Sequence, residues 1–185
     1  MSRRGDERRN IIKEAAYELF AEKGFKDVTM SDICEKSQLS RGGLYRHYSS
    51  TSEIFREIIS EDISFDERIE NKESAVKILT DNLNILESDI LENEKSLSLA
   101  IYEYANVGDN HLEFSDLQEK AKKRWIKLIK YGISAKEFND VNPEAVAEMI
   151  LYYYQGIRMW SRVTNIGKKS AKNYKNNILN LLIKR

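Results

Sequence analysis

Apolar side chains recur at a helical period along most of the chain. Ile11, Ile12, Ala15, Ala16, Leu19 and Phe20 share one face of a segment over about residues 6–23. Gly24 follows where glycine ends helices, and Phe25 is expected to return to the core. Thr29-Met30-Ser31-Asp32 has capping-box spacing and opens a second helix that points Ile33 and Cys34 inward and ends near Ser37. Gln38-Leu39 makes a short turn, and Ser40 caps a very short third helix through about His47. Two short helices joined by such a turn form a helix-turn-helix.

A fourth helix opens at residues 50–53 and is expected to run unbroken to about residue 71, with Ile54, Phe55, Ile58, Ile59 and Ile63 as its buried stripe. Four or five further amphipathic segments follow, at about 74–92, 95–107, 115–135, 143–164 and 170–183. Asn142-Pro143-Glu144 is a strong start signal: a cap, a proline at the first helical position, and an acid in the first turn. Gly167 is expected to stop that helix. One proline and eight glycines in 185 residues leave few breakers, which fits an all-α chain. The expected organisation is a helix-turn-helix head over 1–51 on a larger helical bundle over 52–185.

Composition narrows the class without naming it. No run approaches the ~20 apolar residues that span a bilayer. The charged start, Met1 to Arg9, does not read as a signal peptide, so the cytoplasm is the expected location. The lone Cys34 cannot form an intrachain disulfide. Net charge is zero but unevenly spread. Residues 61–120 carry 16 acids against 5 bases, and residues 121–185 carry 4 against 14. Acidic and basic helices attracting one another explain this, with a basic C-terminal DNA contact as the minor reading. Residues 36–52 hold Lys36, Arg41 and Arg46 and no acid, a local basic stretch suited to phosphate.

The informative stretch is Leu39-Ser40-Arg41-Gly42-Gly43-Leu44-Tyr45-Arg46-His47-Tyr48. Each glycine costs a helix about 1 kcal/mol relative to alanine. Adjacent glycines make sense where a backbone must approach another surface closely. Arg41 lies beside Tyr45, Gly42 beside Arg46, and Gly43 beside His47 at helical spacing. Arginine reads guanine through paired hydrogen bonds or holds phosphate. Tyrosine, histidine, Ser40 and backbone amides donate to phosphate. Thr29 and Lys36 are further candidate DNA contacts, and Leu44 is expected to face inward. A plain loop with solvated basic residues is the competing reading of the glycine pair.

The order of these features resembles the tetracycline-repressor (TetR) family of bacterial regulators. The resemblance rests on Gly24-Phe25, on Thr29-Met30-Ser31-Asp32-Ile33, and on Gly42-Gly43-Leu44-Tyr45-Arg46-His47-Tyr48, and it covers about residues 8–60. Lys130-Tyr131-Gly132-Ile133 and Val141-Asn142-Pro143-Glu144-Ala145 add a weaker echo. Two departures stand out. Gln38 occupies a turn position where the family commonly has glycine. Thr51 occupies the start of the linker helix where many members have a phosphate-binding lysine, which shifts the expected anchor to Lys36, Arg46 or the Arg3–Arg9 arm.

The resemblance implies a homodimeric, ligand-responsive regulator, most often a repressor, bound to a double-stranded, palindromic operator. It implies a dimer interface formed by the last two helices, where Ile150, Leu151, Tyr154, Ile157, Ile178, Leu181 and Leu182 suit either a core or a dimer seam. It also implies a ligand pocket in the bundle, with the linker helix carrying the response. Tyr102, Trp125, Tyr152, Tyr153, Met159 and Trp160 are candidates to line it, around a small apolar or aromatic ligand, although aromatics at this spacing also suit a core. Glu103 is a candidate for a cationic ligand or a solvated acid.

Catalysis finds no support. His47 and His111 are the only histidines, and no metal-ligand spacing or nucleophile motif is present. Neither a cofactor nor a metal is expected. Two alternatives remain open at this point: a thiol-based redox regulator using Cys34, and a helical protein-interaction module without DNA binding.

Overall fold

The structure is a computed structural model. It describes residues 3–60, 64–92, 96–161, 163–164, 166 and 168–184, with side chains from residue 5 onward. The expectations that involve Ile63, Lys95, Gly167 and the side chains of Arg3 and Arg4 lie outside the described residues.

Among the described residues the chain forms ten helices and no named strand, the all-α class expected. They are α1 (Arg3–Lys23), α2 (Met30–Ser37), α3 (Arg41–Tyr45), α4 (Thr51–Ile59), α5 (Asp66–Glu70), α6 (Ala75–Leu91), α7 (Ser98–Ala105), α8 (Asn110–Ser134), α9 (Pro143–Ser161) and α10 (Lys168–Leu182). The single helix expected from residue 50 to about 71 is corrected to two. The α4 helix ends at Ile59, with the Ser60 amide donating to the Arg56 carbonyl at 3.0 Å. The Ser64 hydroxyl then accepts the Asp66 amide at the start of α5 (3.1 Å), and Phe65 turns into a different core from Phe55. The α8 helix also begins earlier than expected.

The chain divides by packing into two compact units. The first takes in residues 3–60 and 97–113, and the second takes in 64–92, 96 and the described residues from 114 onward. Thus α7 and the first turn of α8 pack with α1–α4, and the border expected at 51/52 falls inside the first unit.

In the first unit, α1 buries Ile12, Ala16 and Phe20 completely, while Ile11, expected on the same face, is 46% exposed. Leu44 is the inward anchor of α3 and is fully buried, as expected. Burying a side chain of this size contributes about 1.5–3 kcal/mol. Phe20, Phe25, Phe55 and Tyr104 form an aromatic cluster with ring centroids 4.8–5.7 Å apart. The Arg9 guanidinium lies 4.6 Å from the centre of the Tyr48 ring and pairs with Glu57, tying α1 to α4. Gln38 sits in the left-handed region (φ +57°), which explains the family's usual glycine there.

In the second unit, α6, α9 and α10 pack on one another, and α8 contributes Trp125, Leu128 and Ile129. Gly132 is required by packing, since a Cβ there would lie 2.2 Å from the Phe138 ring. The start of α9 forms as its signal predicts: Asn142 Oδ1 accepts the amides of Glu144 and Ala145 at 3.0 and 3.2 Å. Part of the charge asymmetry resolves here into ion pairs, Lys175 with Glu87 at 2.9 Å and Lys127 with Asp66.

Candidate nucleic-acid interface

The α2 helix is held by a complete capping box. Thr29 Oγ1 accepts the Asp32 amide (3.2 Å) and lies 2.6 Å from Asp32 Oδ2, which also accepts the Thr29 amide (2.8 Å). These bonds, led by the Thr29 hydroxyl, hold the Asp32 carboxyl below its ordinary range. The Thr29 hydroxyl is therefore fully engaged in capping. Lys36, at the other end of α2, pairs with Glu18 at 2.7 Å, and this contact raises its ammonium above the usual lysine range. Ser31, read from the sequence only as part of the cap, also reaches across to α3, where its hydroxyl accepts Arg41 Nη2 at 3.1 Å. Helical periodicity carries no signal for a contact ten residues apart across a turn, so this bond is visible only in the fold.

The α3 helix is built differently. Ser40, in extended conformation, accepts the Gly43 amide at 3.1 Å. A Cβ at Gly43 would stand 3.2 Å from that hydroxyl, so the second glycine eases the cap. Nothing in the described protein asks for the first. Neither glycine has a positive φ, and a Cβ at Gly42 would meet no atom within 4 Å. Arg41, Gly42, Tyr45 and Arg46 are all exposed, with Tyr45 54% accessible, while Leu44 is buried; His47 is half-buried beside them. Among the described residues the side chains of Tyr45 and Arg46 have no hydrogen-bond or ion-pair partner.

Thr51 opens α4 and is half-buried. The start of this helix already carries a carboxylate. Glu53 accepts the Ser49 amide (2.7 Å) and hydroxyl (2.8 Å), and these bonds, the amide first, hold Glu53 below its ordinary range. A resident negative charge reduces the attraction of this helix start for phosphate.

The six ligand-pocket candidates are spread over both units. Tyr102 is 62% exposed on α7 in the first unit. Trp125 is buried in the second unit, edge-on to Phe65 with centroids 5.2 Å apart. Tyr152, Tyr153 and Trp160 are exposed on α9, and Met159 is half-buried. The residues that suited either core or seam now separate. Ile150, Tyr154, Ile157, Ile178 and Leu182 are buried, Leu151 is half-buried, and Leu181 is exposed. Glu103 is half-buried, and its Oε2 accepts the amides of Phe25 at 2.7 Å and Lys26 at 3.1 Å. Cys34 is buried on the inner side of α2, away from the solvent that thiol oxidation requires. Among the described residues no group of three or more His, Cys, Asp or Glu side chains could hold a metal, and no helix is long and apolar enough to cross a membrane.

Comparison with known proteins bears on what this face does. Residues 12–58 match the family model for bacterial regulatory proteins of the tetR family. An HTH-type transcriptional regulator of Bacillus subtilis, YfiR, is 32% identical over 163 residues, 82% of this chain and 78% of its own length. Among solved structures, TylP, a TetR regulator from Streptomyces fradiae, superposes with a TM-score of 0.73 at 16% identity, covering 97% of this chain and 88% of its own. A protein from Saccharomonospora viridis solved in complex with choline gives 0.74 at 18% identity, covering 97% of this chain and all of its own. The two structural likenesses speak to the fold alone. The family model falls on the head that carries α2 and α3, the Bacillus relative matches most of the chain, and these relatives are transcription regulators, not enzymes: the chain belongs to the TetR family and is a DNA-binding transcriptional regulator.

Proposed function

We propose that the chain is a homodimeric repressor that binds a near-palindromic operator through the exposed face of α3 and leaves it when a small molecule binds. The observation that carries the DNA-reading part is Gly42. It costs a helix about 1 kcal/mol, and neither backbone conformation nor internal packing calls for it. A surface that must admit another backbone accounts for it. In this reading Arg41 and Arg46 contact guanine edges or phosphate, and Tyr45 and His47 donate to phosphate. Gly43 keeps the approach open. Thr29 and Ser40 contribute by holding α2 and α3 in place, Thr51 offers one uncharged donor, and Lys36 reaches phosphate only by leaving Glu18.

The dimer seam is the apolar stripe on the outside of α9. Met149, Tyr152, Tyr153 and Trp160 recur at helical spacing and are 37–68% exposed, and Leu181 of α10 adds to them. Apolar residues left outside at this spacing are what an interface between two copies buries. Two copies joined there would present two α3 helices to successive turns of the major groove, ~34–36 Å apart. The choline bound to the Saccharomonospora protein supports a small-molecule ligand in general terms. Here the ligand is apolar or aromatic and meets Trp125, the one buried aromatic among the six candidates. It acts by favouring the conformation that mis-spaces the two heads.

The test is selection of bound DNA from a random-fragment pool by the purified protein at stated salt, followed by footprinting. Two half-sites about one helical turn apart support the reading. A single protected half-site contradicts the dimer, and no enriched fragment at low salt contradicts the DNA contact.

A further inference from the structure

A carboxylate on α7 is bound to the main chain of the turn between α1 and α2. Glu103 Oε2 accepts the Phe25 amide at 2.7 Å and the Lys26 amide at 3.1 Å. Hydrogen bonds to an ionised acceptor are about twice as strong as neutral ones. The turn is shaped to receive it. Gly24 lies at φ +85°, and a Cβ there would stand 2.5 Å from the same Glu103 oxygen. Next along α7, Tyr104 is fully buried, with its ring 5.1 Å from Phe25 and 5.0 Å from Phe55. The Tyr104 hydroxyl donates to Glu113 at 3.0 Å, and Glu113 pairs with Arg56 of α4 at 2.8 Å. One short helix thereby grips the element before α2 and the element after α3.

We infer that Glu103 is a positioning residue for DNA reading: its carboxylate fixes the α1–α2 turn to α7 and so holds α2 and α3 in the orientation that reads the operator. This rests on the DNA-reading assignment above and adds the residue that keeps the reader aligned. Glu103 touches no DNA. A slide of α7 that opened the longer bond past 3.5 Å would end it as a hydrogen bond, so the turn follows α7 or loses it. In the sequence the Gly24-Phe25 pair has an obvious local role as a helix stop. Its second role, as a receptor for a side chain 77 and 78 residues away, comes from the fold.

The test uses full-length protein and an operator fragment selected by the wild type. Amide exchange at Phe25 and Lys26 is followed beside that of Gly24, whose amide donates to the Phe20 carbonyl at 3.0 Å and serves as internal control. In Glu103→Ala the Phe25 and Lys26 amides should exchange at least about ten-fold faster with Gly24 unchanged, since charge-assisted bonds carry that much. Operator affinity should fall roughly ten-fold by the same measure. Glu103→Gln keeps an acceptor oxygen without the charge and should recover part of both losses, about three-fold of each ten-fold. Faster exchange with unchanged affinity would overturn the inference, since the bond would then position nothing. Equal acceleration at Gly24, or no rescue by Gln, would also overturn it by reducing the effect to general destabilisation. If the wild type enriches no fragment, the DNA-reading assignment falls and this role falls with it; an enriched fragment indifferent to Glu103→Ala removes the positioning role alone.

Discussion

The two short helices of the head use their polar residues in opposite ways. In α2 the candidate DNA contacts are occupied inside the protein: Thr29 and Asp32 cap the helix, and Lys36 pairs with Glu18. On α3 and its last turn, Tyr45 and Arg46 face outward without partners among the described residues, and Gly42 has no neighbour that requires it. The contrast separates two kinds of residue that a motif presents as one block. Those with internal work should register in stability when changed. Those without it should register in operator affinity and leave stability almost untouched.

The largest effect is expected at the inward anchor, where both quantities must fail together. Leu44→Ala empties a fully buried site and should cost about 2–5 kcal/mol of unfolding free energy. Denaturant titration checks this, and a loss below about 1 kcal/mol would mean that the site collapses freely. Next comes Arg46→Ala, expected to weaken operator binding by about 10- to 100-fold, the worth of one good base or phosphate contact. Its unfolding free energy should stay within about 0.5 kcal/mol of wild type. A parallel fall in stability would show that Arg46 has internal work after all. On the other helix, Thr29→Ala should remove about 1 kcal/mol of stability through the lost cap, read by thermal unfolding. If affinity fell in Thr29→Ala with stability unchanged, α2 would join α3 as a contact surface. Gly42→Ala should raise stability, by up to about 1 kcal/mol.

The same contrast explains what could be read from the chain. The capping box of α2 and the Asn142-Pro143 start of α9 were legible because each is made by close neighbours in the chain. The break between α4 and α5 was not, because Ile58, Ile59, Phe65 and Ile69 carry on an amphipathic rhythm although they serve two different cores. The α9 helix was ambiguous for a related reason. It is apolar on two faces, and only burial separates Ile150, Tyr154 and Ile157 from Tyr152, Tyr153 and Trp160. The tyrosine and tryptophan side chains that suggested a pocket therefore fall mainly on the outside of that helix. Glu103 was opaque because its partners are main-chain amides, which any sequence would supply. The glycine pair is intermediate: its helical cost is plain in the sequence, but the open space around Gly42 and the Ser40 hydroxyl beside Gly43 are what assign different reasons to the two.

The decisive experiment is a paired measurement on Gly42→Ala and wild type: unfolding free energy for each, and affinity for the same selected operator fragment at one salt concentration. The two quantities should move in opposite directions, with the variant as stable as wild type or more so and its affinity reduced several-fold. A variant that binds the operator as tightly as wild type would contradict the assignment of this face to DNA.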